Sequence, residues 1–196
     1  MWRRCGRCGS RVSERLRLRA AHDEHELARI YAVPHDHTGW ADHVVRVAVT
    51  AQFAHQLSGR VARAADLSCG DGAILKALEV GERHLGDYAP GHDLVGPIED
   101  TIEQIPAVDL FVCTETLEHL DDPDAVLAAI RRKARRLVVS TPVDAWQDTN
   151  LEHYWAWSRA GVEAMLVGAG FDPAVYMALD FRGCGGEYCY GTWWCR

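Results

Sequence analysis

No stretch of this chain is apolar for long enough to cross a bilayer. Spanning takes roughly 20 such residues. The most apolar segment, residues 44–54, is broken by Arg46 and Gln52. The amino terminus carries arginines with no apolar core behind them, so it does not read as a secretory signal. Internal repeats are absent, and so is low-complexity sequence beyond that arginine arm. What these absences leave is a globular chain of 196 residues, enough for one α/β domain and too few for two. The expected location is cytoplasmic, with no membrane partner.

Acid is scarce at the start of the chain. The first 19 residues hold seven arginines against Glu14 alone, leaving 14 of the 21 basic and 27 of the 28 acidic residues to the rest. An acidic body is a poor general surface for nucleic acid. The arm itself is open to two readings, a solvated leader or a contact to a phosphate backbone. Seven cysteines is an odd number. Cys69 and Cys113 fall at expected strand ends, which suits reduced thiols. Cys5-Gly6-Arg7-Cys8 resembles half of a zinc knuckle. A structural zinc there would need a second half from His22 and His25, or from Cys184 and Cys189; free surface thiols are the alternative.

The pattern is helical over residues 27–57, with a break from Pro34 to Gly39. From there strand and helix alternate. Strands are expected at 61–68, 84–88, 109–114 and 137–140, the last stopped by Pro142. Helices are expected at 72–79, from Asp122-Pro123 onward, and at 158–168. Asp can cap the middle one and Pro suits its first position. Residues 171–179 and 187–195 read as two closing strands. The fold class is α/β, a Rossmann-like doubly wound sheet, mostly parallel with an antiparallel C-terminal strand. Three segments are expected: a basic cysteine-containing leader (1–24), a helical lid (25–58) and the α/β core (59–196).

Asp66-Leu67-Ser68-Cys69-Gly70-Asp71-Gly72 joins the first core strand to its helix. Glycines there let the backbone turn tightly and approach a ligand. The segment resembles the S-adenosylmethionine (SAM) loop of class I methyltransferases, with Ser68 where the first glycine usually stands. The resemblance implies that Asp66, Ser68, Gly70 and Gly72 cradle SAM. It implies an acid after the second strand for the ribose hydroxyls, which Asp87 fits. It places Ile98 and Glu99 beside the adenine and Thr114 at the end of the fourth strand. The run from Thr114 to His119 resembles the family's Glu-x-x-Glu-His stretch, as in small-RNA 2′-O-methyltransferases and quinone-biosynthesis O-methyltransferases. The likeness covers residues 61–171.

Glu115, Glu118 and His119 stand at i, i+3 and i+4, one face if a helical turn follows the strand. The resemblance adds His153 as a distal histidine. Three roles stay open. The four residues hold a divalent ion such as Mg²⁺ or Mn²⁺. Alternatively His119 or His153 is a metal-free base, with Glu115 beside it in the catalytic set. Or Glu118 and His119 only brace the loop. A second unusual set is His35, Asp36, His37, Trp40 and His43, readable as a lid or as a polar break around Pro34. Trp146, Trp155 and Trp157 line an acceptor pocket or simply pack. The reading that follows is SAM-dependent O-methylation of a small-molecule hydroxyl. The alternatives are a ribose or RNA acceptor, and a cofactor-binding protein without transfer activity.

Overall fold

The computed structural model describes residues 14–33 and 37–196, apart from the side chain of His37. Cys5, Cys8, His35 and Asp36 therefore lie outside the described residues, and so do the zinc and lid readings built on them. The chain enters through a short strand β1 (Arg15–Arg17), then helices α1 (Glu24–Ile30) and α2 (Ala41–Ser58). Asp23 opens α1 with a capping box: its side chain accepts from the Glu26 amide at 2.8 Å, and Glu26 accepts from the Asp23 amide at 3.1 Å.

The core follows as β2 (Val61–Asp66), α3 (Ala73–Lys76), β3 (Val80–Asp87), β4 (Leu94–Val95), α4 (Ile98–Thr101) and β5 (Val108–Thr114). It is completed by α5 (Pro123–Lys133), β6 (Ala134–Val143), β7 (Trp155–Trp157), α6 (Arg159–Gly168), β8 (Pro173–Asp180) and β9 (Cys189–Cys195). Seven strands form one sheet in the order β4-β3-β2-β5-β6-β9-β8. Strands β4, β3, β2, β5 and β6 pair in parallel, and β9 runs antiparallel to both β6 and β8. The expected doubly wound, mostly parallel sheet is present. Helix α5 starts as anticipated: Asp122 accepts from the Ala125 amide at 3.0 Å, with Pro123 at the first position.

Both faces of the sheet are covered, as parallel strands require. In β5, Leu110, Phe111, Val112 and Cys113 are all fully buried. Phe111 and Cys113 join Leu127, Ile130 and Trp193 on one face. Leu110 and Val112 join Ala54 of α2 and Leu75 of α3 on the other.

Pro142 does not end its strand. Strand β6 runs through it to Val143, with Pro142 opposite Tyr190. The Ser140 carbonyl accepts from the Glu115 amide at 2.9 Å, so Ser140 faces β5. Pro142, two residues on, faces the same side. There β5 has already ended, so the missing N–H costs no ladder bond.

Part of the arginine arm is docked rather than solvated. β1 pairs antiparallel with β7, Arg15 opposite Trp157 and Arg17 opposite Trp155. The Leu18 amide donates to the Tyr154 carbonyl at 2.8 Å and the Ser158 amide to Glu14 at 3.1 Å. The Arg15 guanidinium lies 4.0 Å from the Trp155 ring centroid, a cation–π stack. Arg15 also pairs with Asp124, and Arg17 with Asp121. Three residues are too few to read as a strand, and the partner is about 140 residues away. Trp155 and Trp157 accordingly pack: their indole N–H groups donate to the Leu120 carbonyl and the Thr141 hydroxyl. Neither they nor Trp146 line the cavity described below.

Deleting residues 1–20 removes β1 and its ladder. The melting temperature should fall by several degrees, and hydrogen exchange should quicken at the amides of 154–158 while the β5 amides keep their protection. An unchanged melting curve would show that the arm contributes nothing to the fold.

Candidate active site

From β2 the sheet extends one way through β3 and the other through β5. At such a reversal the loops part, and a crevice opens beyond the carboxyl ends of the strands. A cavity of about 1380 Å³ lies there. The loop after β2 forms its floor. Gly70 (φ 54°) and Gly72 (φ 72°) are both left-handed, a conformation that side chains disfavour. A Cβ on Gly72 would also stand 3.2 Å from Lys76 and 3.3 Å from Leu85.

Ser68, the departure from a glycine, bridges two loops. Its hydroxyl lies 2.7 Å from that of Thr116, which donates to the Thr114 carbonyl at 3.1 Å. With the Thr116 proton so used, Ser68 is the donor between them. Asp87 at the end of β3 accepts from the Gly70 amide at 2.8 Å and the Ala89 amide at 2.9 Å. The carboxylate is thus fixed against the glycine loop with lone pairs to spare. Ile98 and Glu99 open α4 along the same wall, and Thr114 closes β5. All of the expected donor-side residues except Asp66 and Gly72 line the cavity.

Asp66 sits beneath the loop, 1% exposed, its Oδ1 accepting from the Ser68 amide at 3.3 Å. Burial lifts its pKa to about 8, and the nearby Asp87 charge adds to the rise.

The opposite side of the cavity begins at Glu115. The expected helical turn does not start there. Glu115 is left-handed (φ 51°), and only Leu117–His119 form a 3₁₀ turn. The two glutamates therefore point differently. Glu115 accepts from the Ser140 hydroxyl at 2.6 Å, with the Arg46 guanidinium 4.0 Å away. Glu118 is buried and accepts from the Thr141 hydroxyl at 3.0 Å through Oε2, while its Oε1 has no hydrogen-bond partner among the described residues. His119 and His153 meet edge to face, centroids 4.7 Å apart. Ligand atoms of Glu118, His119 and His153 lie within 4.8 Å of one another. Three of the four expected residues thus form a metal-sized group, and Glu115 stands beside it.

Two partners were not legible in the sequence. Asp148 accepts from His153 Nδ1 at 2.6 Å, which leaves Nε2 as the ring's remaining donor or ligand atom. Burial works against charge on His153, but the bond to Asp148 and the Glu118 and Glu115 carboxylates outweigh it, and the pKa is raised. Glu118 is pushed up to about 8 by burial and by Glu115. The second partner is Arg46, buried in α2.

No family model and no curated protein matches the sequence. Solved structures do match. The N-methyltransferase NodS from Bradyrhizobium japonicum, in complex with S-adenosyl-L-homocysteine (SAH), is 17% identical over 88% of this chain and 97% of that one, TM-score 0.63. The magnesium protoporphyrin IX methyltransferase of Synechocystis, with bound SAM, is 16% identical over 86% and 88%, TM-score 0.61. This is the class I methyltransferase fold. The same fold also serves a [4+2]-cyclase, SpnF, 11% identical over 79% of this chain and 80% of that one, TM-score 0.56.

The raised pKa of Asp66 has a consequence for stability. Its folded pKa lies above the unfolded value near 4, so the unfolded chain ionises first. Stability from this group is complete below pH 4 and is lost as pH rises towards about 8. The ligand-free protein should melt lower at about pH 7.5 than at pH 5, and Asp66→Asn should remove part of that fall. A lower melting temperature for Asp66→Asn at the higher pH would mean an ionised, partnered carboxylate instead.

Proposed function

We propose that this chain is a SAM-dependent methyltransferase acting on a hydroxyl of a small-molecule acceptor, with a divalent ion held by Glu118, His119 and His153. One observation carries the reading. A single cavity is lined on one side by the glycine loop and Asp87, and on the other by that trio.

The donor side binds and orients. Asp87, already anchored by two amides, is placed to accept from ribose hydroxyls. The glycine loop allows close approach of the donor's methionyl part. In the transfer, the carbon–sulfur bond breaks as the carbon–oxygen bond forms, and the sulfonium becomes the neutral thioether of SAH. The reaction is driven by the sulfonium, so the protein's work is alignment and removal of the hydroxyl proton.

The trio fits a divalent ion. It offers one hard oxygen and two imidazole nitrogens, and Glu118 Oε1 is buried without a hydrogen-bond partner among the described residues. Asp148 holds His153 as outer-shell carboxylates hold metal-ligating histidines. An ion there would supply a lowered pKa at the acceptor hydroxyl. The same Asp148–His153 pair supports a second reading, in which His153 Nε2 takes the proton with no metal. A ribose or RNA acceptor has less support. Arg15 and Arg17 are paired with acids, and Arg19 donates to the Asp148 carbonyl at 2.5 Å, so these three do not present an open phosphate-binding surface.

Calorimetry should find one SAH site, and Asp87→Ala should weaken it about tenfold or more, the worth of charge-assisted hydrogen bonds. Heat with NAD and none with SAH would reverse the assignment. Mn²⁺ titration followed by paramagnetic resonance should show one site, lost in Glu118→Gln. Chelation should abolish transfer and leave SAH affinity unchanged. Full activity under chelation, with its loss in His153→Ala, would select the metal-free base.

A further inference from the structure

Arg46 has a different problem from the other buried charges. Its side chain is 6% exposed, yet among the described residues Nε and Nη1 find no hydrogen-bond partner. Its contacts are weak ones. Nη2 lies 3.4 Å from His43 Nδ1, Nη1 lies 4.0 Å from Glu115, and the Tyr190 ring centroid is 5.5 Å from the guanidinium carbon. Glu115 spends its Oε1 on the Ser140 hydroxyl at 2.6 Å. A buried guanidinium with unmatched N–H groups is costly unless something else pairs it. Arg46 lines the cavity, so a ligand can do so.

Where Arg46 stands says which ligand. Its neighbours, His43, Glu115 and Tyr190, do not belong to the loop that Asp87 braces. An aromatic wall leads from it to the trio. Tyr190 meets Tyr188 at 5.8 Å between centroids, Tyr188 meets His153 at 5.5 Å, and His153 meets His119 at 4.7 Å. All of these rings line the same cavity. Tyr188 is held in place by donating to Asp148 Oδ1 at 3.0 Å. Successive rings are tilted by 55°, 49° and 85°, so with a cation at one end and the Glu118–His119–His153 group at the other they offer edges and faces to an aromatic, charged molecule.

We propose that Arg46 is the specificity-determining residue of the acceptor site, and that the acceptor is a planar hydroxy acid whose carboxylate pairs with Arg46 while its hydroxyl lies at Glu118, His119 and His153. The inference rests on the methyltransferase reading. Arginine suits the task because it stays charged when buried and binds a carboxylate with directed N–H groups. The donor also has a carboxylate, in its methionyl part, and the test separates the two sources.

The probes are 3,4-dihydroxycinnamate and its neutral amide, titrated into Mn²⁺-loaded protein saturated with SAH. The acid should bind about tenfold or more tightly than the amide. Arg46→Met should erase the difference while SAH affinity holds within about twofold, and Arg46→Lys should restore part of it. Melting curves check that each variant is folded; were Arg46→Met to unfold, the acid–amide comparison on the wild type and Arg46→Lys would decide. Equal binding of acid and amide to the wild type, or binding of neither, overturns the proposal. So does a loss of SAH affinity in Arg46→Met that matches the loss of acid, since the paired carboxylate is then the donor's. Failure of the wild type to bind SAH at all marks failure of the underlying reading instead.

Discussion

The site depends on the register of β5 against β6. Thr114 stands opposite Ser140, and the Glu115 amide continues the ladder by one bond to the Ser140 carbonyl. That register puts two hydroxyls, Ser140 and Thr141, beside two carboxylates, Glu115 and Glu118. It also sets Thr141 to receive the Trp157 indole N–H, so the strand, the turn and the returning chain share one network. A slip of one residue would turn Ser140 and Thr141 to the opposite faces and leave both acids buried without donors. Buried groups without partners cost more than the bonds are worth when made. The polar network and the strand pairing therefore enforce one another, while the burial of Phe111 and Leu137 sets the same register from the apolar face.

The network is not relaxed. Glu115 adopts a left-handed backbone, which costs a residue other than glycine about 1–3 kcal/mol. The strain has a visible effect. It ends the strand abruptly and turns the Glu115 carboxyl towards Ser140 and Arg46, which frees the next turn to aim Glu118 and His119 at His153. Burial raises the pKa of Asp66, Glu115 and Glu118. Three carboxyl groups that resist ionisation, two lining the cavity and Asp66 beneath its loop, make a poor recipe for stability. They make a good one for cationic ligands, which restore the charge they suppress. Local rules broken together at one place are what a functional site looks like.

Much of this was legible, and the legible part has a common character. The glycine loop, Asp87, the apolar run of β5 and the Asp122-Pro123 start of α5 are all local statements. Each rests on a backbone angle, a cap or a run of burial that neighbouring residues specify. What stayed hidden is non-local. Asp148 reads as one more acid in a polar loop until the fold sets it on His153. Arg46 reads as an interruption of an apolar helix until β9 brings Tyr190 beneath it. β1 has three residues and no signal until Trp155–Trp157 supply a partner. Glu115 is different again: spacing placed it on a face with Glu118, and one dihedral angle moved it. Pro142 escapes the rule for strand interiors because it faces the side that β5 has vacated.

The two halves of the cavity are also built to different standards. The half around the glycine loop lies on consecutive elements, β2 through β5, whose loops are short and tied by their own amides. The half around Glu115, Glu118 and His153 is assembled from segments far apart in sequence: α2, the turn after β5, the stretch after β6, and β9. The 148–157 stretch has the arm on one side and the turn on the other. The Tyr154 amide donates to the Glu118 carbonyl at 2.7 Å, and its own carbonyl accepts from Leu18. His153 is thus positioned by the adjoining backbone bond to Glu118 and by a strand that enters from the chain's beginning. Small changes in α2 or the arm can reshape that side without disturbing the glycine loop. That asymmetry is how one fold can keep a glycine loop while the facing wall of the crevice varies. It also accounts for why Arg46 and Asp148, which complete the wall around Glu115, Glu118 and His153, lie outside the motifs by which the fold is known.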